Sequence, residues 1–166
     1  MNVKRARTTV LFVCMGNICR SPTAEAVFRA VSARAGLAPG LEIDSAGTGE
    51  WHVGNPPDYR AIAHAARRGY DLTPLRARQV TMADFDRFRW ILAMDRFNLA
   101  HLEDLRPRRF DGHVGLFLDL APTLGVREVP DPYDEGPEVF ERVLDLVEAG
   151  SRAFAARLAA GAAGES

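Results

Sequence analysis

Cysteine is scarce: Cys14 and Cys19 are the only two in 166 residues. A domain of this size with two cysteines is not a disulfide scaffold. No C-x-x-C pair accompanies the four scattered histidines, His52, His64, His101 and His113, so no metal site is expected. Lysine is nearly absent, Lys4 being the only one among 21 basic residues. An excess of either charge is also lacking: 21 basic residues face 22 acidic ones, for a formal net charge of -1. That balance gives no electrostatic case for nucleic acid or an anionic membrane surface as a partner. Long hydrophobic runs are missing as well. Behind Lys4, Arg5 and Arg7 the apolar stretch Val10-Leu11-Phe12-Val13 is too short for a signal-peptide core. No stretch approaches the roughly 20 residues that cross a bilayer, and the cytoplasm is the expected compartment. What is present is 47% hydrophobic and 26% charged, the composition of a globular domain able to bury its own core. The chain reads as one domain over residues 1–166, with about 1–8 and 159–166 as frayed ends.

Strand and helix signals alternate. Thr9 to Cys14 is a nearly all-apolar strand, the pattern of a strand covered on both faces. A helix follows, with Ser21 as its cap, Pro22 in its first turn, and Ala24, Val27, Phe28 and Val31 on one face. Gly36 marks its stop. Leu41 to Ser45 is a second strand, and Asp58 to Arg68 a helix ending at Gly69. Trp90 to Met94 is a third strand, with Trp90 in the core, leading through Asp95 into a helix that carries Leu99 and Leu102. Val114 to Leu118 is a weaker strand. Pro137 to about Leu158 is a last helix with Val143, Val147, Phe154 and Leu158 inward. This order predicts an α/β fold, a parallel sheet with helices on both faces. Ligands of such sheets sit at the carboxyl ends of the strands.

The first strand runs into Cys14-Met15-Gly16-Asn17-Ile18-Cys19-Arg20-Ser21. A strand–loop–helix turn this short gathers backbone N–H groups around one point, and the helix terminus adds about half a positive charge. Such a concavity binds tetrahedral oxyanions. Met15 to Ser21 would surround the phosphate. Gly16 supplies conformational freedom, Asn17 tolerates a left-handed backbone and braces the loop, and Arg20 offers a planar fork to two phosphate oxygens. Cys14 then has surroundings that favour the thiolate, in line for attack on phosphorus. Ser21 can hydrogen-bond its sulfur. No Gly-Lys-Ser/Thr ending is present, so this is not a nucleotide-binding loop. The plain alternative is a small buried cysteine closing a strand. The glycine, asparagine, arginine, serine and proline in register with Cys14 favour the chemical reading.

Val10 to Phe28, VLFVCMGNICRSPTAEAVF, resembles the active-site signature of the low-molecular-weight protein tyrosine phosphatases. The likeness continues through Asp44 to Gly54, Ala77-Arg78-Gln79, Met94-Asp95 and Asp131-Pro132-Tyr133. It implies a four-stranded parallel sheet, a cysteinyl-phosphate intermediate, and neither cofactor nor metal. It implies that Asp131 is general acid and then base; by itself an Asp-Pro pair is only a turn former. It implies that Trp51 and Tyr133 wall the pocket, and that Asn17, Ser21 and Ser45 form a hydrogen-bonded support under the loop. Cys19 is either a packed thiol or, as in some relatives, a reversible disulfide partner of Cys14. The substrate implied is a phosphotyrosine protein, a tyrosine autokinase being one possibility in a bacterium. Oligomeric state is open.

Two positions depart from the family. Leu75 stands where members often carry a histidine of the support network. Asp134 stands where many have a second aromatic, and its carboxylate at the rim should favour basic neighbours in a peptide. Of the histidines, only His52, beside Trp51, is expected to brace a loop; the rest read as surface or helix-end residues. Three other functions share the scaffold or the loop. An arsenate reductase needs cysteines beyond Cys19. A phosphoarginine phosphatase tends to have threonine in place of Ile18. A non-catalytic phosphate-binding module needs neither nucleophile nor acid.

Overall fold

Val10, Leu11, Phe12 and Val13 are fully shielded from solvent, as an apolar run without alternation implies for a strand covered on both faces. They belong to β1 (Thr8–Cys14). The computed structural model describes residues 7–163. In it β1 pairs in parallel with β2 (Leu41–Gly47) and β3 (Trp90–Ala93), and β3 pairs with β4 (His113–Leu116). The sheet order is β2-β1-β3-β4. The register sets Cys14 beside Gly47 and Val13 beside Ala93, which itself lies beside Leu116. The carboxyl ends of all four strands therefore share one edge.

The helices are α1 (Arg20–Arg34), α2 (Tyr59–Arg67), α3 (Asp84–Arg87), α4 (Arg96–Leu105) and α5 (Pro137–Ala163). Val10 and Phe12 turn to a core with Phe28 of α1 and Val147 and Phe154 of α5. Leu11 and Val13 turn to a second core with Phe85, Phe88, Leu102 and Phe110. Phe12 meets Phe28 and Phe117 edge-on, with centroids 5.7 and 5.1 Å apart. Offset and edge contacts of this kind add to what area burial alone contributes. Among the described residues, no helix is long and apolar enough to cross a membrane.

Several elements differ from the sequence expectation. Ser21 is not the cap of α1: the helix starts one residue earlier, and no side chain caps it. The reason lies in the site described below, where the Ser21 hydroxyl is fully used. The fourth strand ends at Leu116, and Phe117–Leu120 is a 3-10 turn that carries Phe117 into the core. Trp90 is half-buried, against Phe154 at 5.0 Å. The last helix continues through Ala163, where fraying was expected from Ala159. Its end is rich in alanine, the strongest helix former. Thr8, within the expected N-terminal fray, is instead the first residue of β1, paired with Leu41; residues 1–6 and 164–166 lie outside the described residues. Gly36, with φ +77°, takes the left-handed turn that stops α1. His64 is buried in the last turn of α2, and His113 is half-buried at the start of β4.

Candidate active site

The segment from Cys14 to Arg20 joins β1 to α1 at the carboxyl edge of the sheet. Three of its carbonyls are tied to neighbouring loops. The Cys14 and Met15 carbonyls accept from the N–H groups of Thr48 and Gly49, each at 2.9 Å, and the Ile18 carbonyl accepts from Asp58 N–H at 2.8 Å. In a trans peptide the next N–H points opposite to the carbonyl. The N–H groups of Met15, Gly16 and Cys19 thus point away from those partners. The uncapped first turn of α1 adds further donors at the same place. Asn17, at φ +56°, is the one non-glycine residue with a left-handed backbone among the described residues. Gly16 has no such backbone. Its role is spatial: a β-carbon there would come within 3.0 Å of the His52 ring, which packs on the loop. Gly47 is tighter still, since a β-carbon would sit 2.7 Å from the Met15 carbonyl oxygen.

Cys14 Sγ lies 3.0 Å from Ser21 Oγ. Ser21 accepts from Asn17 Nδ2 at 2.8 Å, and the same amide donates to Ser45 Oγ at 3.0 Å. Asn17 Oδ1 accepts from Arg78 N–H at 3.0 Å. Ser45 donates onward to Glu25 Oε1 at 2.7 Å, and Glu25 pairs with Arg29 at 2.8 Å. The support expected of Asn17, Ser21 and Ser45 is therefore assembled, and it ends on a buried carboxylate that the sequence did not single out. Leu75 plays no part in it. It packs against the main core and lines a surface hollow of about 520 Å³ beside α1, which holds none of the loop residues.

Arg20 is only 2% exposed. Its Nη1 donates to Asp95 Oδ2 at 2.6 Å and to the Val129 carbonyl at 3.1 Å, and its Nη2 lies 3.6 Å from Asp131 Oδ2. Burial pulls the guanidinium pKa down, but the charges of Cys14, Asp95 and Asp131 outweigh it, so the net shift is upward. Arg20 is thus aimed and permanently charged. Asp95 was legible as a helix start, and it does cap α4, with Oδ1 accepting from Asn98 N–H at 2.8 Å. Its hold on Arg20 was missed; its place directly after an inner strand, at the ligand-bearing edge, was the available signal.

Asp131 is half-exposed, with Oδ1 accepting from Tyr133 N–H at 3.1 Å. Tyr133 and Trp51 are exposed at 48% and 71%, so both have free ring surface. The His52 and Tyr133 rings are 6.4 Å apart, which brings the Trp51-His52 turn beside the Asp131 segment. The Trp51 ring lies over Gly49, where a β-carbon would clash with it. Asp134 is exposed on the same segment. Cys19 is buried, and its thiol pKa is pushed well up by that burial, with the charges of Asp58, Cys14 and Asp131 adding to it and Arg60 opposing. Both cysteines are free thiols. Loop N–H groups turned away from the partners of the loop carbonyls, a buried arginine, a thiol and a carboxyl can together bind a phosphate ester and exchange its oxygen for sulfur.

A parallel sheet whose inner strand ends in a cysteine–arginine oxyanion loop is the scaffold of a class of phosphatases. The model of one family, low molecular weight phosphotyrosine protein phosphatase, matches residues 9–163. YfkJ of Bacillus subtilis, a low molecular weight protein-tyrosine-phosphatase, is 42% identical over 142 residues, 86% of this chain and 90% of that one. The Streptomyces coelicolor enzyme of the same description is 46% identical over 145 residues, covering 86% and 88%. Among solved structures, the protein tyrosine phosphatase of Entamoeba histolytica superposes with a TM-score of 0.88 at 37% identity, over 93% of this chain and 98% of that one. The chain belongs to the low-molecular-weight protein tyrosine phosphatase family.

Proposed function

We propose that the chain hydrolyses phosphotyrosine in proteins through a cysteinyl-phosphate intermediate. The Cys14 thiolate attacks phosphorus and the bond to the tyrosyl oxygen breaks. Asp131 gives its proton to that oxygen, and the tyrosine leaves. Water then attacks the phosphocysteine, passing a proton to the Asp131 carboxylate, and the thiolate departs from inorganic phosphate. Arg20 and the loop N–H groups, Met15 to Ser21, hold the equatorial oxygens in both steps. The Ser21 hydroxyl steadies the departing sulfur, and Trp51 and Tyr133 flank the ring. The observation that carries this is the 3.6 Å approach of Asp131 to Arg20, which joins an acid from the far end of the chain to the cysteine loop. The counterpart is a phosphotyrosine protein, a tyrosine autokinase being one such, met in the cytoplasm.

The test is hydrolysis of para-nitrophenyl phosphate near pH 6 in EDTA, wild type beside Cys14→Ser, followed by phosphotyrosine and phosphoarginine peptides. Turnover by wild type alone, with phosphotyrosine preferred, supports the proposal. Turnover that survives Cys14→Ser, or preference for phosphoarginine, overturns it. Binding of phosphate by folded, reduced protein without turnover leaves a binding module instead.

A further inference from the structure

Residues 131–135 form neither helix nor strand. Among the described residues, one hydrogen bond reaches from this segment to a distant part of the chain: Arg60 Nη2 donates to the Tyr133 carbonyl at 2.9 Å. The other bonds here are local, from Tyr133 N–H to Asp131 and from Glu135 N–H to the Pro132 carbonyl. Arg60 is itself held from below. Asp58 grips its guanidinium at two points, Nε to Oδ1 at 3.1 Å and Nη2 to Oδ2 at 3.0 Å. A two-point grip fixes the orientation of the guanidinium plane as well as its position. The guanidinium also lies 4.8 Å from the Phe140 ring centroid and 5.7 Å from that of Tyr133, within range of cation–π attraction. Asp58 caps α2 through Arg60 N–H, and its own N–H donates to the Ile18 carbonyl of the oxyanion loop at 2.8 Å.

Ile18, Asp58, Arg60, Tyr133 and Asp131 thus make one unbroken chain of contacts from the loop that holds phosphate to the carboxyl. We propose that Arg60, braced by Asp58, is a positioning residue that sets the height of Asp131 above the oxyanion loop. The proposal rests on the reading of Asp131 as the proton donor. Proton delivery depends steeply on distance, and a displacement of about 1 Å can cost a hundredfold. A half-exposed carboxyl on an irregular segment needs such a strut.

The dependence of rate on leaving group tests it. A poor leaving group needs the proton; a good one does not. The control is Asp131→Ala, assayed by kcat/KM with phenyl phosphate and with 2,4-dinitrophenyl phosphate. A loss confined largely to phenyl phosphate establishes the donor; equal losses remove the acid reading itself, independently of Arg60. With the donor established, Arg60→Met should show the same selectivity in milder form, a loss of about tenfold with phenyl phosphate and under twofold with the dinitrophenyl ester. Placed on Asp131→Ala, it should cost nothing more, because a strut has no role once its load is gone. Arg60→Lys should recover part of the loss. Asp58→Asn keeps the helix cap and loosens only the grip, so it should reproduce the pattern weakly even if Arg60→Met folds poorly. Equal losses with both esters, or additivity in the double variant, overturn the proposal. So does a raised KM for phosphopeptides with aryl phosphates untouched, which would make Arg60 a direct substrate contact.

Discussion

The carboxylate of Asp95 serves two partners with separate oxygens, so two substitutions separate its roles. Oδ1 accepts from Asn98 N–H at 2.8 Å and caps α4; Oδ2 accepts from buried Arg20 at 2.6 Å. Asn caps a helix as well as Asp does. Asparagine has a single acceptor oxygen: spent on Asn98 N–H it keeps the cap, and its NH2 group then faces the guanidinium, so Asp95→Asn keeps the cap and removes both charge and acceptor from Arg20. Asp95→Ala removes cap and acceptor together and leaves a guanidinium at 2% exposure without its main counter-charge. Orphaning a buried ion costs about 3 to 5 kcal/mol. Arg20 keeps the Val129 carbonyl at 3.1 Å and Asp131 at 3.6 Å, which places the loss of this partner at the lower end, about 3 kcal/mol in either variant, and the lost cap adds about 1 kcal/mol in the alanine one. Urea unfolding with a common slope should rank wild type above Asp95→Asn above Asp95→Ala. In kcat/KM the alanine variant should lose about a hundredfold, since the fork loses its aim. Two alternatives refute the reasoning: an alanine variant no less stable than the asparagine one, or both within about 0.5 kcal/mol of wild type, the range of an ordinary surface change.

Gly47→Ala should cost stability and activity together, because a β-carbon 2.7 Å from the Met15 carbonyl oxygen moves backbone of the oxyanion loop; Gly40→Ala, with nothing within 4 Å, is the comparison, and equal behaviour of the two contradicts the contact. Acid should weaken the fold through Asp111, Asp119 and Glu141, whose pKa values are lowered chiefly by hydrogen bonds from Arg89, Arg127 and Arg68. The unfolded chain binds protons at these sites first, so the stability they give is complete above the ordinary carboxylate range, about pH 4, and is lost as pH falls through the lowered values. A urea midpoint that is the same at pH 5 and pH 3 would contradict this.

How much of the site was legible follows from how local each constraint is. The stretch from Cys14 to Ser21 could be read because its turn, its backbone donors and its thiol are specified by contiguous residues, and these lie together in one loop. Two details inside it were misread for the same local reason. Ser-Pro is a helix-start pattern, but the Ser21 hydroxyl is taken by Cys14 and Asn17. A loop glycine suggests a special backbone, but Gly16 makes room for His52 while Asn17 takes the left-handed turn. Asp95, Glu25 and Arg60 were not legible as site residues. Each fits its own helix, and its second partner comes from a distant segment: Arg20, Ser45 and Tyr133 respectively. Four-residue α3 lacks the length to show a period at all. Leu75 shows the converse: the network lacks a histidine there, and Arg78 N–H and Glu25 supply its far ends.

The charges gathered here have a consequence for ligand binding. One guanidinium, Arg20, faces the carboxylates of Asp95 and Asp131 and the sulfur of Cys14. With all three acids ionised, the side-chain charge of the empty loop is negative, and an arriving oxyanion dianion would meet repulsion that backbone donors must overcome. Removing one of the carboxylate charges removes part of that repulsion. Asp131 is the exposed member of the set, whereas Asp95 is locked between Arg20 and the α4 cap. Replacing Asp131 by asparagine should therefore strengthen the binding of a dianion. Sulfate is a suitable probe, since it does not itself titrate near neutrality. Calorimetry at pH 7 should show sulfate bound several-fold more tightly by Asp131→Asn than by wild type. Equal or weaker binding by Asp131→Asn would refute the charge account.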